Sequence, residues 1–83
     1  MSRYRIDVEM TIDGEETTAI YKGVRYSSGS PDYCFLGDDE YLIFETLTQA
    51  REAIENYLAS EMFLNKIVIV DDDTEEVVPS IKY

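Results

Sequence analysis

The sequence predicts a two-layer α+β domain: a mainly antiparallel sheet of five to six strands, one helix on one face, and the element order ββββαββ. Three observations carry this. Residues 4–12 alternate strictly between apolar and polar, a capped amphipathic stretch begins at Thr46, and a short wholly apolar run spans Ile67 to Val70.

In the first of these, Tyr4, Ile6, Val8, Met10 and Ile12 fall on one side and Arg5, Asp7, Glu9 and Thr11 on the other, which describes a half-buried strand. Asp13-Gly14 follows, a pair that accepts positive φ and closes tight hairpins, and a second β-prone run extends from Thr17 to Tyr26. Ala19 and Tyr21 lie on one alternation phase, Val24 and Tyr26 on the other, so Gly23 between them marks an expected bulge.

Ser27 to Asp32 reads as a loop, rich in residues that favour turns. Tyr33 to Leu36 and Tyr41 to Phe44 flank Gly37-Asp38-Asp39-Glu40 and read as a second hairpin. Thr46 followed by Gln49 fits a capping box, which starts a helix at Leu47. At 100° per residue, Leu47, Ala50, Ile54, Tyr57 and Leu58 share an arc of about 100°, the face expected to pack on the sheet. The same wheel would bring Glu61 into that arc. Burying an unpaired carboxylate is costly, so the helix is expected to fray near Ser60.

Ile67 to Val70 has no polar face, as in a strand covered on both sides. Asp71 to Glu76 is a charged turn, and Val77 to Tyr83 would return as a last strand that Pro79 confines to an edge. Strands directly before and after the helix, if in one sheet, would run parallel through a right-handed crossover.

With 83 residues, 45% hydrophobic and 12% aromatic, the chain holds one core, and residues 1–83 read as a single small acidic domain. The lone Cys34 has no intramolecular partner and no charged n-region precedes an apolar h-region, so a cytoplasmic setting is expected. No apolar run approaches the roughly 20 residues of a membrane span, and no membrane partner is expected.

Eighteen acidic residues against seven basic ones give a net charge of −11, which repels phosphate backbones and disfavours direct nucleic-acid binding. The absence of histidine removes the commonest acid-base group and metal ligand. Cys34, between Tyr33 and Phe35, has no histidine to act as its partner, and a thiol so placed in a strand is expected to serve packing. There is no glycine-rich phosphate loop, and any pair of carboxylates chosen for glycosidase chemistry would be arbitrary. The protein is expected not to be an enzyme and to need no cofactor.

Eleven acidic residues gather in the three turns: Asp13, Glu15 and Glu16; Asp38, Asp39 and Glu40; Asp71, Asp72, Asp73, Glu75 and Glu76. Carboxylates are cheap in solvated turns, so solubility alone would produce the clustering. Asp71, Asp73 and Glu75 match the opening of an EF-hand loop. Glu76 then stands where that loop needs glycine and Lys82 where it needs glutamate, so no metal site is expected.

Seven tyrosines are many for this length, and those outside the core would be contact residues. The leading functional expectation is therefore a protein-binding module that meets a basic partner surface. Its acidic contacts would be Asp38, Asp39, Glu40, Asp71, Asp72, Asp73, Glu75 and Glu76, with Tyr33 and Tyr41 as anchors. The alternatives are a nucleic-acid-mimic inhibitor from a phage or mobile element, and a structural or assembly domain acting as a homodimer through an uncovered sheet face.

Overall fold

Strand β1 (Tyr4–Ile12) is the centre of the sheet, because its alternating sequence can pair on both edges while burying one face. A computed structural model describes residues 3–24, 31–35, 40–59, 61 and 64–78. Around β1 it places β2 (Glu15–Val24), β3 (Pro31–Phe35), β4 (Leu64–Asp71) and β5 (Glu76–Val77), in the spatial order β3-β2-β1-β4-β5. One helix, α1 (Leu47–Ala53), continues into a π-helical turn at Ile54–Leu58. The architecture is the two-layer α+β arrangement that the patterning predicts.

The first hairpin closes as expected. Ile12 pairs with Glu15, and the two residues between them take φ of 52° (Asp13) and 83° (Gly14), the doubly positive geometry of a type I′ turn. The bulge is also present: β2 pairs with β3 at Tyr21↔Tyr33 and then at Gly23↔Asp32, leaving Lys22 as the extra residue. Gly23 adopts φ 121°, a backbone state that side-chain-bearing residues rarely enter. The phase change lets Tyr21 sit in the core while Val24, three residues on, still packs against it.

Among the described residues, 33–35 and 41–44 do not pair with each other as a second hairpin, and the expected connection at 36–39 lies outside the described residues. β3 pairs with β2 instead, and Pro31 and Asp32, expected in the loop, belong to that strand. Ladder pairing between β1 and β2 stops at Asp7↔Ile20, and residues 42–44 fill the splay beyond it: the Leu42 amide donates to the Tyr21 carbonyl at 3.2 Å, and Phe44 exchanges backbone bonds of 2.8 and 2.9 Å with Tyr4. The segment is thus an isolated bridge, not a strand, and the observed order is βββαββ. Every ladder is antiparallel. Residues 42–44 and β4 flank β1 on opposite sides and are each antiparallel to it, so the segment before the helix and the strand after it run in the same direction, as expected, with β1 between them.

Phe44 anchors the helix entry. Its ring stacks on Tyr21 with centroids 6.4 Å apart and planes 5° from parallel. Two residues later Thr46 accepts from the Gln49 amide at 3.2 Å, while the Gln49 side chain accepts from the Glu45 amide at 3.1 Å, a capping arrangement displaced by one residue from the ideal box.

Helix residues Ala50, Ala53, Ile54 and Leu58 are buried against Ile6, Val8, Ile67 and Ile69 of the sheet. Burial of each large aliphatic side chain contributes about 1.5–3 kcal/mol. Tyr57, expected on this face, is 41% exposed. The reason is the π-helical turn: the Ala59 amide reaches back five residues to the Ile54 carbonyl at 2.7 Å, and this wider turn advances each residue by a smaller angle. Leu58 thereby moves to the middle of the buried face and Tyr57 to its rim. The helix ends before Glu61, as expected, and Glu61 is only half-buried.

The apolar run at Ile67 to Val70 lies in β4, with Ile67 and Ile69 in the core and Val70 buried on the opposite face beside Val77. Of the expected last strand, pairing is seen at Glu76 and Val77, the Val78 amide donates to the Ile69 carbonyl at 2.8 Å, and residues 79–83 lie outside the described residues. Among the described residues no helix is long and apolar enough to cross a membrane.

Candidate functional site

Asp71 closes β4 and begins the most acidic of the turns. One of its carboxylate oxygens accepts from the amides of Asp73 (2.9 Å) and Thr74 (3.3 Å), and its carbonyl accepts from the Glu75 amide (2.7 Å). Short side chains with an oxygen at this reach stabilise tight turns by satisfying such amides. The Thr74 hydroxyl accepts from the Glu76 amide at 3.3 Å as β5 begins, and Glu75 between them is held at φ 61°.

The start of β1 grips this turn, since antiparallel pairing sets Tyr4 opposite Asp71. The Asp72 amide donates to the Arg3 carbonyl at 2.8 Å. Arg3 donates to Asp73 through both its amide (3.2 Å) and its guanidinium (3.1 Å), an exposed contact. Arg5 is the inner clamp: its Nη1 meets Asp72 at 2.8 Å and its Nε meets Asp7 at 3.0 Å. The Tyr41 hydroxyl donates to the same Asp72 oxygen at 2.9 Å, which ties the segment before the helix to the turn.

The two carboxylates on Arg5 respond in opposite directions. Burial pushes the Asp7 carboxyl upward, and its single bond from Arg5 does not offset this. Burial acts in the same sense on Asp72, but hydrogen bonds from Arg5 and Tyr41 outweigh it and hold that carboxyl below the usual range. Arg5 itself is pulled down by burial and, more strongly in total, raised by its bonds to Asp72 and Asp7. Its hydrogen bond to Asp72 raises the Tyr41 hydroxyl, with a smaller contribution from burial.

The ten residues expected to contact a partner separate in the structure. Asp38 and Asp39 lie outside the described residues, and Glu40 is exposed. Asp71, Asp72 and Asp73 are engaged within the chain, while Glu75 and Glu76 face solvent. Tyr33 packs against the core, where burial, with smaller effects from Glu61 and Tyr21, pushes its hydroxyl up to about 12. Tyr41 is half-buried on Asp72, and among the described tyrosines the exposed ring is that of Tyr57.

Arg3, Arg5 and Asp7 were not among the expected site residues. The i, i+2 spacing of Arg5 and Asp7 on one strand face was a readable signal for their contact, but the link from Arg5 to Asp72 spans 67 residues and follows only from the β1–β4 register. Among the described residues, no group of three is arranged to hold a metal ion. Asp71 and Asp73, which share the EF-hand spacing with Glu75, turn instead to backbone amides and to Arg3.

At the other end of the sheet, the exposed Asp13, Glu15 and Glu16 enter no ion pair among the described residues, and the same holds for Glu52 and Glu55 on the helix. No family model, no curated protein and no solved structure matches this chain.

Proposed function

We propose that this chain is a protein-binding module that engages a basic partner surface. The observation that carries the reading is the distribution of uncompensated charge. The ion pairs of the described residues use Asp7, Asp72 and Asp73, so Asp13, Glu15, Glu16, Glu52 and Glu55 remain as exposed, unneutralised carboxylates on a chain of net charge −11. Such a field draws cationic surfaces and speeds encounter. Tyr57, exposed on the helix between Glu52 and the π-turn exit, supplies an aromatic anchor of the kind interfaces favour.

The test is capture on the immobilised full chain at low and high salt, beside a variant with Asp13→Asn, Glu15→Gln, Glu16→Gln, Glu52→Gln and Glu55→Gln. The expected result is a partner retained by the native chain at low salt and lost both at high salt and with the neutralised variant. Retention indifferent to salt and to neutralisation would sink the reading. Displacement of the partner by added DNA would move it toward the nucleic-acid-mimic class.

A further inference from the structure

The segment that leads into the helix is fastened very differently at its two ends. At the helix end, Phe44 exchanges backbone bonds of 2.8 and 2.9 Å with Tyr4, stacks its ring on Tyr21 and is buried, and the Thr46 cap follows two residues later. This end is an anchor.

Tyr41 to Ile43 has weaker holds. Among the described residues it is tied by the Tyr41 hydroxyl, which donates to Asp72 at 2.9 Å, and by the Leu42 amide, whose bond to the Tyr21 carbonyl is long at 3.2 Å. Leu42 is 38% exposed and so contributes little by apolar burial.

The mount on which Tyr41 rests is itself rigid. Pairing of Tyr4 with Asp71 delivers the turn, the Asp72 amide donates to the Arg3 carbonyl at 2.8 Å, and Asp72 Oδ1 accepts from Arg5 Nη1 at 2.8 Å. The same oxygen receives the Tyr41 hydroxyl. A bond from a neutral hydroxyl to an ionised carboxylate is stronger than one between neutral groups, so this contact is the principal hold on the segment.

Leu42 also stands where the first hairpin would continue. The β1–β2 register reaches Val8↔Ala19 and Asp7↔Ile20, and its next pair would set Ile6 opposite Tyr21. Ile6 shares the alternation phase of Ile12, whose backbone faces β2 in the turn pair with Glu15. The Tyr21 carbonyl accepts from Leu42 instead. When Leu42 withdraws, the Ile6 amide is in register to serve that carbonyl, so release does not strand a buried acceptor.

We propose that Tyr41 to Ile43 is a hinged strap, pivoting at Phe44 and latched by the Tyr41 hydroxyl on Asp72, through which the β4–β5 turn governs whether the splay between β1 and β2 is filled. The device is independent of the basic-partner reading.

The test is residue-by-residue amide hydrogen exchange on the full chain and on Tyr41→Phe, which keeps the ring and removes the hydroxyl. The expected result is exchange about tenfold faster at Leu42 in the variant, with the Phe44 amide at the hinge and the Val8 amide in the sheet unchanged. An unchanged Leu42 rate would overturn the latch. Acceleration of Phe44 along with Leu42, whether or not Val8 follows, would show that the segment does not pivot there and would overturn the strap.

Discussion

The two described acidic turns, at β1–β2 and at β4–β5, are both rich in carboxylates and do different work. The β1–β2 turn leaves Asp13, Glu15 and Glu16 exposed and closes through its backbone, with positive φ at Asp13 and Gly14. The β4–β5 turn closes through its side chains: Asp71 collects two amides, Asp73 holds Arg3, and Asp72 receives Arg5 and Tyr41. A carboxylate in a turn is therefore not a binding residue by default. Its availability depends on whether a distant cation is brought within reach.

The contrast is broken most severely at Asp72, where Asp72→Ala takes from the Arg5 guanidinium, whose side chain is only 14% exposed, one of its two carboxylates and removes the Tyr41 acceptor. The expected loss is about 2 kcal/mol, read as a lowered denaturant midpoint. Loss within experimental error would mean that the clamp contributes nothing to stability. Gly14→Ala tests the other turn, forcing a side chain into φ 83°, and should destabilise by about 1 kcal/mol. The partner experiment is Glu75→Gly, which relieves a side-chain-bearing residue at φ 61° and should raise the thermal midpoint by an amount equivalent to about 0.5–1 kcal/mol.

Acid titration separates the two carboxylates on Arg5. The Asp72 carboxyl is lowered in the folded chain, so its contribution is fully present above the unfolded value of about 3.9 and is lost as pH falls through the lower folded value. Asp7 is raised, so its ionised form opposes folding at neutral pH and that penalty is relieved as pH falls through the raised value. Asp72→Asn is thus expected to destabilise at pH 7 and to converge on the native chain in strong acid. Asp7→Asn should be neutral to stabilising at pH 7, with its advantage disappearing as the native Asp7 protonates. Denaturation midpoints from neutral pH down to about 3 check both, and a destabilised Asp7→Asn would reverse the sign assigned here. The smallest effect is expected from Asp13→Asn, Glu15→Gln and Glu16→Gln together, within about 0.5 kcal/mol of the native stability. A larger change would show that this turn, too, has a structural use for its charge.

Local chemistry made much of the fold legible. Alternation in β1, the Asp13-Gly14 turn, the Gly23 bulge and the Thr46 cap each involve residues within a few positions of one another, where steric and hydrogen-bonding preferences act before any tertiary contact. Tyr57 was misassigned because a wheel of fixed pitch cannot anticipate a π-helical turn, which depends on how Leu58 meets the sheet. Tyr41 to Phe44 looked like a strand because its apolar residues suit one; it forms a bridge because the splay between β1 and β2 admits only a short segment. The candidate site was half legible: the acidic turn stood out, but the arginines that consume its carboxylates did not.

By itself the sequence determined the α+β class, the first hairpin, the bulge and the helix start, since each is specified by backbone preferences or by a pattern that must bury one face. Only the tertiary structure decided which carboxylates are spent internally and which of the described tyrosines is exposed. Those outcomes depend on register between strands distant in the chain, and a shift of one residue would exchange every inward side chain for an outward one.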